Sequence, residues 1–284
     1  MPPDSVVVVL RAAAFVVLLQ AAGAALFLSL FGRRLAATGD FVRRLGAAAA
    51  ATGAALVVVR CLIEPARMTG TLSGVLDGSM HAFVLTSNLG ISQLIRLLGA
   101  GIVGLALVRS AGPRPALAGA LLIAVSFSFM GHTATSEPRW LLGGLLALHV
   151  LAAALWFGSL VPLYVACGRE SLSNTGRLVE RFSAVAVRAV PFIPLAGVGM
   201  AVVLLPSPSG LASPYGALLI VKGLVFAALM GLAALNRYRL GPAVAAGHTP
   251  SLARLRRCIA TEAWLIALIL MVTATLTTLH SPEP

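Results

Sequence analysis

Apolar runs of about twenty residues follow one another from Val6 to Leu279 and leave this chain few folds to choose from. A helix rises 1.5 Å per residue, so each run is long enough to cross the roughly 30 Å hydrocarbon core of a bilayer. The runs are continuous rather than alternating, which argues against a transmembrane barrel. Hydrophobic residues make up 59% of the 284 residues and charged residues only 11%, where a soluble domain carries roughly a quarter charged. The chain reads as an all-α, polytopic membrane helix bundle forming one membrane domain over residues 1–284.

Eight spans fit the pattern: residues 6–31, 41–63, 88–108, 115–133, 140–167, 183–205, 214–237 and 254–279. Residues 71–87, "TLSGVLDGSMHAFVLTS", are too polar and short to span and read as a re-entrant or surface helix. The domain then divides into 1–114, with three spans and that helix, and 115–284, with five spans. The first apolar stretch follows no basic segment and runs on to Phe31, so it reads as a span rather than a cleaved signal peptide.

The net charge of +12 comes from twenty arginines and a single lysine, Lys222. In a soluble protein that surplus would suggest nucleic acid; here no nucleic-acid partner is expected, because the arginines collect in alternate loops. One set of loops holds Arg33, Arg34, Arg43 and Arg44, then Arg109 and Arg114, then Arg169, Arg177 and Arg181, then Arg237, Arg239, Arg254, Arg256 and Arg257. The other set holds Arg60, Arg67 and Arg139 with Glu64, Asp77 and Glu137. The positive-inside rule puts the first set in the cytoplasm and both termini outside.

With that sidedness, Met68, Met80, His81, Met130, His132 and His280 fall at or near the outer face, and Met200 near the outer end of the sixth span. His248, Cys167 and Cys258 fall toward the inside. Thioether and imidazole donors in an oxidising space, and thiols in a reducing one, suit copper at each end. The alternative is that the methionines are lipid-facing or core filler.

His132 lies where the fourth span meets the outer surface, and His149 lies about nine residues, or about 13 Å, into the fifth. An imidazole at that depth needs a partner within the bundle. On its helix the face at i, i+3, i+4 and i+7 reads His149, Ala152, Ala153, Trp156, and the alanines would let a neighbouring helix approach closely. Met130 joins this site only if the helix unwinds near Gly131. Two readings stand: copper ligation by His132, His149 and Met130, with Met80, His81 and His280 as further donors, or a histidine bonded to a backbone carbonyl or serine in a tight helix pair.

Charged residues also lie inside later spans. Lys222 sits toward the outer side of the seventh, Glu262 toward the inner side of the eighth, and Arg188 near the inner end of the sixth. Their depths predict an Arg188–Glu262 pair supporting the inner half, with Asn236 nearby; such a pair is either functional or a lock on the bundle. Arg11 and Arg96 lie within spans with no partner legible from sequence. No HExxH, nucleophile elbow, phosphate-binding glycine loop or carboxylate cluster is present, so no enzyme is expected.

Several features in order resemble the CopD/PcoD-type family of bacterial inner-membrane copper proteins. They are Gly131–His132, "LHVLAAALWFGSLVPL" from Leu148 to Leu163, "RFS" from Arg181 to Ser183, "SPYGALLIVKG" from Ser213 to Gly223, Asn236–Arg237, and Glu262. The motif match covers Met130 to Leu279; the earlier spans agree in number and general character. The resemblance implies a copper-resistance protein of the inner membrane that moves a copper ion, Cu⁺ or Cu²⁺, between periplasm and cytoplasm. It further implies copper at His132 and His149 and a separate periplasmic CopC-like copper-binding partner. Two other readings remain: a haem-bearing membrane cytochrome, and a copper-delivery or assembly partner that does not transport.

Overall fold

The computed structural model describes residues 4–131, 136–205 and 208–279, and every regular element among them is helical. In chain order the α-helices are α1 (Asp4–Phe31), α2 (Gly39–Thr69), α3 (Gly78–Thr86), α4 (Asn88–Val108), α5 (Pro113–Ser126) and α6 (Arg139–Arg169). There follow α7 (Leu172–Ala189), α8 (Phe192–Leu204), α9 (Pro214–Leu235), α10 (Gly241–Ala245) and α11 (Thr249–Leu279). Seven helical segments among the described residues are long and apolar enough to cross a membrane. The fourth expected span is a shorter apolar helix over Pro113–Phe129, giving way to extended backbone at Met130. Residues 71–87 form a 3-10 turn and the nine-residue α3 rather than a span.

Helix α1 is the axis of the bundle and packs against α2, α4, α5, α6 and α11. Its segment from Leu18 to Phe27 is buried nearly all round, including Leu18, Leu19, Ala21, Ala22, Ala24, Ala25 and Phe27. A helix apolar on every side belongs in such a position. In lipid, helices gain little from burying apolar surface against one another, so close backbone packing has to hold them. Here glycine supplies it. A Cβ on Gly23 would lie 2.1 Å from the Ala154 carbonyl oxygen and 2.6 Å from the Gly158 Cα, and one on Gly158 would lie 2.5 Å from the Gly23 Cα. Beside this crossing the Gln20 Nε2 donates to the Gly158 carbonyl at 3.0 Å. Gly99 and Gly119 do the same for α4 and α5, each lying against the other's carbonyl.

Two expectations need correction. The sixth span does not begin near residue 183: the helix starts at Leu172 and breaks at Val190–Pro191 before α8, so Arg177 and Arg181 are helical rather than in a loop. Helix α7 buries Thr175, Gly176, Leu178, Val179 and Phe182 and turns Arg177, Glu180 and Arg181 outward. Such amphipathic spacing has low mean hydropathy and so hides from a search for apolar runs. Helix α2 likewise runs on to Thr69, placing Glu64 and Arg67 on a helix. Pro242 lacks an N–H, and the helix meets it through a π-turn at Asn236–Leu240 in which the Gly241 N–H reaches back to the Asn236 carbonyl.

The α1–α2 loop is pinned to the α6–α7 junction by one carboxylate. Glu170 Oε1 accepts from the Ala37 N–H at 2.9 Å, the Thr38 N–H at 3.0 Å and the Thr38 hydroxyl at 2.8 Å. Asn174 Nδ2 bridges Glu170 Oε2 and the Arg34 carbonyl. An anion is well placed at the N-terminus of α2. Burial acts to raise the pKa of Glu170, but the bonds from Thr38, Ala37 and Asn174 outweigh it and hold the carboxylate below its ordinary value. At the far end, Arg11 of α1 donates to the Thr277 carbonyl and, at 3.0 Å, to its hydroxyl, so it caps the C-terminus of α11. Both described chain ends therefore meet at one end of the bundle.

Replacing Gly158 by leucine drives a side chain into the α1 backbone and is expected to destabilise the detergent-solubilised protein by about 3 kcal/mol or more. Gly144→Ala, on the same helix with open space around it, should leave the thermal midpoint unchanged. A carboxylate with a depressed pKa stabilises above its unfolded-state value and loses that contribution as pH falls through the folded one. Glu170→Gln should therefore lower the midpoint at neutral pH, and the gap to wild type should close on acidification.

Candidate functional site

The two ends of the α6 face that runs from His149 to Trp156 meet different helices. His149 is half-buried, and its Nδ1 lies 2.9 Å from the Ile193 carbonyl oxygen on α8. A carbonyl only accepts, so Nδ1 carries the proton and Nε2 keeps its lone pair. Gly197, one turn further along α8, lies beside the ring; a Cβ there would be in ordinary contact, 3.8 Å from the His149 Cε1. Lys222 on α9 lies within electrostatic reach of the same imidazole. The closest backbone approach to α6 is at Ala154 and Gly158, against Gly23 of α1.

Trp156, seven residues on, is 4% exposed and belongs to a second cluster. Its Nε1 donates to Glu262 Oε2 at 3.2 Å, and Asn236 Nδ2 donates to Glu262 Oε1 at 2.6 Å. Phe226 meets the indole edge-on with ring centroids 6.0 Å apart. Three helices are tied here at one buried carboxylate, which is 3% exposed. The expected Arg188–Glu262 pair does not form. Arg188 is exposed, and no ion pair among the described residues includes it. Depth along the helices suggested that partner, but rotation about α7 points its side chain away, while the indole and amide supply neutral donors. Asn236 opens the π-turn, and its Oδ1 is buried without a partner.

The remaining candidate ligands lie elsewhere. His132 and His280 fall outside the described residues. Met130 sits in extended backbone just before Gly131, whose φ of 69° is left-handed, so the helix has unwound there. It lines a cleft with Arg11, Arg60, Glu64 and Arg67. Met80 follows the Asp77 cap of α3, and the His81 Nε2 lies 2.8 Å from the Val75 carbonyl of the preceding turn. Among the described residues no group of three or more His, Cys, Asp or Glu side chains could hold a metal ion.

Sequence reasoning left Arg96 without a partner. It is 4% exposed on α4, donates through Nε to the Ser126 hydroxyl at 2.9 Å, and stacks 4.2 Å above the Phe127 ring. Gln20, Ser92 and Gln93, all buried, were also missed; polar residues inside an apolar run were the available signal.

The family profile described as copper resistance protein D-like, N-terminal domain, matches residues 1–140, and the one described as copper resistance protein D matches residues 176–276. The copper resistance protein D of Pseudomonas syringae pv. tomato is 32% identical over 309 aligned residues, spanning 99% of this chain and 98% of that protein. The chain belongs to the copper resistance protein D family. Membership supports a role in copper resistance and agrees with a multi-pass membrane protein. The family likeness also extends through the first four spans, further than the motifs quoted from sequence. The stretch from Leu148 to Leu163, which holds His149 and Trp156, lies between the two profile matches. No solved structure matches the chain.

Removing the Glu262 carboxylate with Glu262→Ala strands two buried donors and is expected to destabilise the protein by about 2–4 kcal/mol. Glu262→Gln should stay close to wild type, because Asn236 can turn its unpaired Oδ1 toward the new amide. Thermal unfolding of the three proteins in one detergent checks this.

Proposed function

We infer that this protein carries copper across the bacterial inner membrane, from periplasm to cytoplasm, as its part in copper resistance. The observation that carries the reading is the His149 imidazole, bonded through Nδ1 to the Ile193 carbonyl with Nε2 left able to ligate. A metal-binding histidine typically donates its other ring nitrogen in this way, which sets the tautomer and the ring's direction. Imidazole suits copper in either oxidation state. His149 lies ten residues into α6, about 15 Å along the helix, within the membrane rather than at its surface.

In this reading His149 is a point of passage, not of storage. The ammonium of Lys222 nearby works against a resident cation, and conduction requires a site weak enough to release what it binds. His132 is the donor that would receive copper at the outer end, after a separate CopC-like periplasmic protein delivers it, with Met130, Met80, His81 and His280 as lesser candidates. The arginine-rich loops support cytoplasmic placement of their ends and periplasmic termini. No bond is made or broken in the cargo, so the protein acts as a carrier and not an enzyme.

Cells expressing the protein should accumulate more cytoplasmic copper than cells lacking it. His149→Ala is expected to reduce that gain about tenfold or more, and Gly197→Leu, which crowds the ring, should do so too while the protein still reaches the membrane. Unchanged accumulation in both variants would remove His149 from the route, and a fall in cytoplasmic copper on wild-type expression would reverse the direction. A Soret band in the purified protein would replace the carrier reading with a haem one.

A further inference from the structure

The largest concentration of charge inside the bundle lies away from His149. Helices α1, α2 and α4 enclose a cavity of about 20 Å³, room for about one water, lined by Arg11, Arg60, Glu64, Arg67, Gln93 and Arg96. Four of these residues, Arg11, Arg60, Glu64 and Arg67, also line a cleft of about 280 Å³ bordered by Asn88, Phe129 and Met130. Four guanidinium groups face one carboxylate, so the lining carries a surplus of three positive charges. Arg11, Arg60 and Arg96 lie within Coulombic reach of one another.

Arg11 is bonded to the C-terminus of α11, and Arg96 to Ser126 and Gln93, but the remaining donors are not accounted for. Both oxygens of Glu64 are taken at 3.1 Å by a single nitrogen of Arg67. Arg60 reaches Glu64 only at 4.0 Å, and its Nε is buried with no hydrogen-bond partner. Gln93 is 1% exposed, and its Nε2 is also buried without a partner. A guanidinium carries five N–H donors, and a buried donor left unpaired is costly. Unbalanced charge within a membrane bundle is costlier still. The rest of the wall is apolar, with Val7, Leu10, Phe15 and Leu56.

We propose that this cleft is a binding site for a phosphate group, with Arg60 supplying N–H donors that the protein leaves unpaired and Arg11 and Arg67 lining the site beside it. Guanidinium groups arriving from two helices suit an anion with oxygens in several directions, whereas a carboxylate is matched by one planar fork. A phosphate also offsets more of the surplus charge than a second carboxylate would. The same chemistry is available from free phosphate and from an anionic phospholipid headgroup, whose acyl chains would find the apolar wall.

The test uses the full-length protein in detergent, with inorganic phosphate and phosphatidylglycerol as separate probes, read by thermal shift and native mass spectrometry. At least one probe should bind, and Arg60→Gln should weaken it about tenfold. Arg67→Gln, on the same cleft, should weaken it as well. Arg33→Gln, at the other end of α1, should bind as wild type. Binding of inorganic phosphate assigns the site to the free ion, and binding of phosphatidylglycerol alone assigns it to lipid. The proposal is overturned if neither probe binds, if Arg60→Gln binds as tightly as wild type, or if acetate binds as well as phosphate. Should Arg60→Gln not fold, Arg67→Gln decides.

Discussion

The backbone contact between α1 and α6 at Gly23 and Gly158 governs the rest of this bundle. With no Cβ on either side, the two helices cross at a distance that any larger residue would forbid. That crossing fixes the height and rotation of α6. Trp156, two residues before Gly158, is thereby turned toward α11, where it meets Glu262. His149, about two turns earlier, points instead toward α8. One contact between two glycines thus sorts the chemistry-bearing face of α6 into two separate environments.

Those environments differ in kind. Around Glu262, an indole and an amide satisfy the carboxylate from two other helices, and three spans are held together without a second charge. Around His149, a single carbonyl occupies one ring nitrogen and the other remains able to ligate. The first arrangement binds protein to protein, while the second leaves coordination capacity unspent. A third polar region, the arginine-lined cavity of the N-terminal half, also leaves donors unspent and carries a surplus of positive charge. Met130 lies on the neighbouring cleft, so a thioether that sequence places near His132 and His149 borders guanidinium groups.

Some errors of sequence reading share a physical origin. Depth along a helix follows directly from residue number, and depth alone is what makes Arg188 and Glu262 look like partners in the sequence. Azimuth around the bundle depends on how neighbouring helices rotate, and no count along the chain supplies it. The start of α7 escaped for another reason: its buried stripe is narrow and its other face is charged, so average hydropathy falls below that of a span although the same helix runs on to Ala189. Arg96 shows the converse. Its position inside an apolar run flagged it as in need of a partner, but the partner, Ser126 with the Phe127 ring, belongs to another helix.

Sequence by itself determined that this is a membrane helix bundle, nearly all of its spans, the family, and the list of polar residues that lipid would not tolerate unpaired. These follow from hydropathy and local pattern, which are additive along the chain. Only the tertiary structure decided which of those polar residues satisfy each other: Trp156 and Asn236 with Glu262, Glu170 with Thr38, Arg11 with Thr277, and His149 with a carbonyl of α8. Those pairings depend on helix rotation and on close approach at a few glycines, both of which arise from contacts between residues on different helices, from about twenty to more than two hundred positions apart.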